Sequence, residues 1–485
     1  MWFRPDFPGQ SICCKNSKLG YPQSWDFWHV RAWRASSHVW SVEPGLTQTC
    51  LKMTAEIAIL NKNAVALAAD SAVTLRNPES QKVYNTANKL FMLSKYHPVG
   101  IMIFGPAYFM GVPWETVIKM YRNELYTTNF GRLVEFAESF LSFLGHSKLL
   151  FPDTSQAAAL ETLCGYPLWS VRNDIDTEVK SQIEQLGGIN DGDTERIVTQ
   201  VTEKHVKTWA NYRRLPQFPE NFEADIINIH RELIDRVITN SLVNLPREQA
   251  QAGLREICAY RMTRDWWSFD SGGIVIAGFG KNDIFPVVHC YAVEAVVHDQ
   301  LKYDHRPAQS NDVSESGAAS IIPFAQGEIV YRFIQGMDPE YKRELGIFLS
   351  KLLSEEYPEL VSAGLAGKIP ANELQVLKLD LSKRGNEIAG GLWDRWVGWE
   401  HQKFVGPVLD IVGDLPKDDL AAMAESLVNL TSFKRRITAE TETVGGPIDV
   451  AVISKGDGFV WIKRKHYFQK DLNPAFFANY YRRED

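Results

Sequence analysis

The stretch that most constrains the fold is TAEIAILNKNAVALAADSAVTL, which begins at Thr54. Ala55, Ile57 and Ile59 alternate with Thr54, Glu56 and Ala58, the period of two that a β-strand imposes. Asn61, Lys62 and Asn63 read as a turn, and Ala64 to Asp70 as a second strand of small and apolar residues. A three-residue loop pairs Leu60 with Ala64, and stepping outward sets Thr54 opposite Asp70. Opposed residues of an antiparallel pair share a face, with Cβ atoms about 4.5–5.5 Å apart. Register alone therefore predicts a hydroxyl beside a carboxylate. Taken by itself, such a hairpin is an ordinary one that starts with a strand-favouring threonine.

The run T-A-E-I-A-I-L-x-x-x-A-V-A-L-A-A-D-S-A-V-T-L resembles the start of a proteasome β-subunit and of its bacterial relative, the peptidase of the HslUV system. Both are N-terminal nucleophile hydrolases. The resemblance implies an α+β chain with a four-layer αββα sandwich, a mature chain beginning at Thr54, and Asp70 ending the second strand. The family's lysine then falls at Lys89, within Asn88-Lys89-Leu-Phe-Met-Leu93, slightly later than usual. Lys82, with no apolar strand behind it, is the weaker choice. Val99-Gly-Ile-Met-Ile-Phe-Gly105 matches the next strand, so Gly105 would supply an oxyanion-binding N–H. The family's second glycine is Pro106 here, and its early helix acid is absent near Phe109.

Later pieces resemble the family in order. Ser271 to Val293 reads as two strands around a glycine-containing turn, like the family's central hairpin. AASIIPFAQGEIVYRFIQG nominates Ser320 as the serine before the third helix. VGGPIDVAVISKGDGFVWIKR resembles the closing Gly-Gly hairpin, although the family's aspartate and serine upstream fall on Thr441 and Val444. Glu440 or Glu442 are the possible substitutes there. The likeness covers 54–145, 270–335 and 410–465. Between them, 146–269 and 338–408 are too long for ordinary loops and are expected as helical insertions.

The chemistry implied is acyl transfer. A threonine hydroxyl is a weak nucleophile without an adjacent base. A free α-amine, with a reference pKa of about 7.7–8.0, can take its proton. Lys89 would oppose protonation of that amine and stabilise charge on the Thr54 oxygen, Asp70 would hold Lys89 charged, and Gly105 would stabilise the oxyanion. No metal or cofactor is needed. The condition is strict, because with Met53 attached the Thr54 nitrogen is an amide.

That condition directs attention to residues 1–53. Five of the fourteen tryptophans, Trp2, Trp25, Trp28, Trp33 and Trp40, lie there, so the segment differs sharply from the rest. It has neither the apolar core of a secretory signal nor the pattern of a transit peptide. It reads as an upstream extension with Met53 as the true start, as a removed propeptide, or as an aromatic docking arm, and the first is preferred because proteasome propeptides usually carry glycine before the threonine.

Composition narrows the partners. At 485 residues, 45% hydrophobic and 23% charged, the chain fits a globular protein with no apolar run of membrane-spanning length. A net charge of -7 argues against nucleic acid, and the basic cluster at 463–466 reads as a solvated strand end. Cys13, Cys14, Cys50, Cys164, Cys258 and Cys290 form no metal spacing, and a cytoplasmic location is expected.

Rival motifs are weaker. GFGKND at 278–283 lacks the helix a phosphate loop needs. His289, His298 and His305 match no metal set. Asp394 and Glu400 sit among tryptophans that suggest packing rather than a sugar site. The expectation is a threonine-type peptidase or amidohydrolase acting on peptide or protein, homo-oligomeric, with the resemblance pointing to a ring and an ATPase partner. The alternatives are a non-catalytic proteasome-like assembly subunit and an N-terminal nucleophile amidase acting on small amides.

Overall fold

The computed structural model describes residues 55–77, 80–84, 87–268, 271–316, 319–438, 445–466 and 468–481. Thr54, Glu440, Thr441, Glu442, Val444 and residues 1–53 lie outside them, so the expectations for those positions are not addressed by the fold.

The chain is mixed α+β with antiparallel sheets. One sheet comprises β1 (Glu56–Leu60), β2 (Val65–Ala69), β8 (Ser320–Pro323), β9 (Asp449–Ser454) and β10 (Gly458–Lys463), ordered β8-β1-β2-β9-β10. A second comprises β3 (Leu90–Met92), β4 (Val99–Phe104), β5 (Gly272–Gly278), β6 (Val287–Val297) and β7 (Gln300–His305), ordered β7-β6-β5-β4-β3, with the two-residue strand Asn311–Asp312 also paired to β6. Side chains alternate across each strand, and the fully buried β1, β2, β4 and β9 have two faces to cover. Ala58, Leu60, Val65 and Leu67 share a core with Met102, Val275, Ala277 and Val288 between the sheets. Ile57, Ile59, Ala66 and Ala68 point the other way, toward α13 (Lys417–Ile437). Ile101, Ile103 and Ile274 pack on α1 (Trp114–Leu125) and α2 (Leu133–His146).

The β1–β2 turn corrects the expected register. Asn61 N–H bonds to the Ala64 carbonyl at 3.1 Å, while Asn61 Oδ1 accepts from Asn63 N–H and Ala64 N–H at 2.9 and 3.3 Å. Its Nδ2 donates to the carbonyls of Val412 and Leu415, each at 2.9 Å. A buried asparagine used in this way adds a residue to the loop, so Leu60 pairs with Val65 and Glu56 with Ala69. Asp70 consequently lies across from Ala55, whose carbonyl accepts its N–H at 3.1 Å, and not across from Thr54.

Two helical regions are built differently. The first holds α3 (Asp153–Leu186), α4 (Asp191–Asn211), α5 (Phe222–Ile229), α6 (Arg231–Ser241) and α7 (Gln251–Thr263). An Asn190–Asp193 capping box starts α4, and Leu168, Ile197, Trp209, Ile234 and Leu254 share one buried core with Ala295 and Val297 of β6. The second, after α8 (Glu328–Gln335), is a long hairpin of α9 (Pro339–Lys351) with α10 (Tyr357–Leu365) against α11 (Ala371–Glu400) with α12 (Gly406–Asp414). No helix among the described residues is long and apolar enough to cross a membrane.

Candidate active site

At the end of the sheets where β1 begins and β2 stops, a chain of charged groups is sealed in the interior. Asp70, just past β2, is fully buried, and so is Lys89, just before β3. Asp70 Oδ1 accepts from Lys89 Nζ and, at 3.3 Å, from the N–H of Ala55. Oδ2 accepts from the N–H groups of Ala72 and Gly445 at 3.3 and 3.0 Å. One carboxylate thus ties together the start of β1, the chain leaving β2, the lysine strand and the loop before β9. Four donors on an ionised group in a dry interior replace the water it has lost.

Lys89 has a second carboxylate that sequence reasoning missed. Glu56 Oε1 lies 3.1 Å from Lys89 Nζ, and both side chains are almost wholly buried. Burial pushes the ammonium toward its neutral form, but the negative charges of Asp70 and Glu56 and their hydrogen bonds outweigh it and raise the Lys89 pKa. The signal lay in the opening strand, where Glu56 is the one acidic residue of an otherwise apolar run.

A second pair lies close by. Asp449 opposes Ala69 in the ladder and accepts from Lys465 Nζ and, at 2.8 Å, from Lys465 N–H. Burial lowers the Lys465 pKa, with the nearby Lys89 charge adding to that effect and Asp449 opposing it. Asn88 and Leu90, the chain neighbours of Lys89, line a cleft of about 330 Å³ with Asp449, Trp461 and Arg464.

Gly105 belongs to the same end. Ile103 N–H bonds to the Lys89 carbonyl at 2.8 Å, and Gly105 follows two residues later with φ +89°, a conformation L side chains rarely adopt. A Cβ there would approach Gly272 Cα to 3.0 Å, so Gly105 and Gly272 meet backbone to backbone. Pro106 offers no N–H, so of that pair Gly105 alone has a backbone N–H to donate.

Ser320 is not brought to this cluster. It pairs with Leu60 at the far end of β1, four residues and roughly 13 Å from Glu56, and its hydroxyl accepts from Asn311 Nδ2. The strand direction explains the misplacement, because β8 runs antiparallel to β1 and it is Pro323 and Phe324 that reach the Glu56 end.

The rival motifs have structural roles. Asp283 accepts from Leu133 N–H at 2.8 Å at the start of α2 and from Gly280 N–H at 2.7 Å, so the GFGKND turn holds a helix end. His289 is held neutral, with burial and the neighbouring His305 pushing its pKa down to about 4. Among the described residues no group of three or more His, Cys, Asp or Glu could hold a metal ion. Glu400 is buried and takes Lys342, whereas Asp394 is exposed.

A second buried lysine was invisible in the sequence. Lys302 Nζ lies 3.0 Å from Glu294 Oε2 and donates to the carbonyls of Arg261 and Trp266 at 2.8 and 2.6 Å. Glu294 also takes both terminal nitrogens of Arg261 and, at 2.8 Å, the Ser268 N–H. Burial would raise the Glu294 carboxyl, but these donors and charges draw it down to about 2. Burial, with the adjacent Arg261 charge, lowers Lys302 to about 7 although Glu294 opposes it.

No protein-family model matches the chain, and no curated protein matches it in sequence.

Proposed function

We propose that this chain is a threonine-type amide hydrolase of the N-terminal nucleophile kind, with a proteasome-like four-layer αββα architecture and Thr54 as nucleophile. The observation that carries the reading is the double use of Asp70 Oδ1, which binds the N–H of the residue after Thr54 and the ammonium of Lys89. Ala55, which follows Thr54 in the chain, is thereby tied through one carboxylate oxygen to a buried, charged lysine.

In the first step the Thr54 hydroxyl oxygen attacks the substrate carbonyl and its proton passes to the α-amine. The Gly105 N–H stabilises the oxyanion, and Lys89 favours negative charge on the attacking oxygen. Collapse breaks the amide bond, the leaving amine takes the proton, and an ester on Thr54 remains. Water, deprotonated by the same amine, hydrolyses it. The substrate class proposed is peptide or protein amides, acted on in the cytoplasm by a homo-oligomer, with a ring assembly and an ATPase supplier as parts of the same proposal.

A second reading is a non-catalytic assembly subunit. It is favoured by Pro323 and Phe324 at the place where Ser320 was expected, and by how completely Lys89 and Asp70 are covered. Fluorogenic peptide hydrolysis by a chain beginning at Thr54 separates the two readings. The hydrolase reading predicts turnover that Thr54→Ala abolishes, and equal rates in the two proteins would reject Thr54 as the nucleophile.

A further inference from the structure

The hairpin of α9–α12 carries its apolar residues on the outside. The side chains enclosed between its helices are mainly small or polar: Ser354, Ser362, Gly385 and the Lys342–Glu400 pair. A Cβ on Gly385 would sit 2.0 Å from the Leu353 carbonyl oxygen, so the two helices touch backbone to backbone there. Such an interface fixes alignment and leaves little apolar surface to stabilise the hairpin.

That surface lies on one broad side instead. Tyr341, Phe348 and Leu352 recur at helical spacing along α9 and just beyond its end, and Ile388, Leu392 and Trp399 along α11. Their exposures are 63, 58 and 36%, and 53, 41 and 50%. The antiparallel alignment set by Lys342 on Glu400 and Leu353 on Gly385 brings Tyr341 level with Trp399 and Leu352 level with Ile388. Both stripes therefore form one face two helices wide. With about 150–250 Å² for a whole aromatic side chain and less for an aliphatic one, the face exposes on the order of 500 Å².

We propose that this face binds the same face of a second copy, so that two hairpins close into a four-helix layer. Two such faces remove on the order of 1,000 Å² from water, the lower limit for a biological interface and the size of a weak one. Four helices around a shared apolar seam are also the ordinary way for a two-helix unit to bury its stripe. The flanks select the pairing. Glu344 borders the stripe on α9 and Arg395 borders it on α11, and both are exposed. A two-fold axis parallel to the helices lays α9 of one copy on α11 of the other and brings Glu344 to the Arg395 of the partner subunit, whereas the perpendicular axis stacks like on like.

Sedimentation velocity on the full chain tests this. The wild type is expected to dimerise at micromolar concentration. Phe348→Glu and Trp399→Glu should each weaken dimerisation at least about thirtyfold, with unchanged circular dichroism because both positions are exposed. Glu344→Arg and Arg395→Glu should each weaken it, and their combination should restore it. A monomeric wild type, or dimers that survive both glutamate variants, would overturn the proposal. So would a monomeric full chain whose form beginning at residue 54 dimerises, since residues 1–53 would then cover the face. Flotation of monomeric wild type, but not Phe348→Glu, with phosphatidylcholine vesicles would overturn it in favour of a lipid surface.

Discussion

Lys89 and Lys302 are both buried lysines paired with carboxylates, yet their surroundings drive them in opposite directions. Lys89 faces two carboxylates, Asp70 and Glu56, and its pKa rises. Lys302 has one, Glu294, and shares it with Arg261, so burial prevails and its pKa falls to about 7. The difference is local charge balance. In the first cluster two carboxylates face one lysine at the start of β1. The second is already filled, and its donors go to backbone carbonyls at 261 and 266 that fix the connection between α7 and β5. On the proposed reading the two pairs have different tasks, chemistry in the first and positioning in the second.

The largest test of that division is loss of each lysine's function. Lys89→Met in a chain beginning at Thr54 is expected to lower kcat/KM by about 10²–10³, the scale of a lost electrostatic stabiliser of the transition state. Lys302→Met should leave kcat/KM per folded molecule unchanged. Activity lost equally in both variants would erase the contrast.

Stability should rank the other way. Glu294→Gln leaves Arg261 and Lys302 buried without their anion and should cost about 3–5 kcal/mol in urea unfolding. Replacing the whole group by apolar residues of similar volume should cost far less, because the desolvation penalty leaves with it.

The two lysines should also differ with pH. Folded Lys302 releases its proton near 7 and the unfolded lysine near about 10.4, so between these values the unfolded chain holds more protons and stability rises with pH. Lys89 has the opposite sign. Its contribution is complete below about 10.4 and is lost as pH rises through its elevated folded value. Urea midpoints from pH 6 to 9 should therefore climb in the wild type and flatten in Lys302→Met.

The smallest effect expected is at Glu56. Removing one negative charge beside the site by Glu56→Gln should move the acidic limb of the activity profile to lower pH by up to about one unit, or about 1.4 kcal/mol. A shift to higher pH would mean that Glu56 does not act on the amine through its charge.

How much the sequence revealed follows from how local each signal is. Asp70, Lys89 and Gly105 each end or begin an apolar strand, a pattern that is local in the sequence, and the three lie at one end of the sheets. The register was off by one because Asn61 spends its side chain on the turn and on Val412 and Leu415, contacts more than 350 positions away. Ser320 was placed by motif order, which carries no information about strand direction. Glu56 was visible as a residue but not as a partner, since its lysine lies on another strand. Arg261, Glu294 and Lys302 assemble from one helix and two strands, and no short spacing announces them.

The most direct test is to treat the chain beginning at Thr54 with an activated ester and map the acylated peptide by mass spectrometry after trypsin. The account predicts a hydroxyl-linked, hydrolysable acyl group on the Thr54–Lys62 peptide, absent from Thr54→Ala and much slower to form in Lys89→Met. Acylation elsewhere, or the same labelling of that peptide in Thr54→Ala, would contradict it.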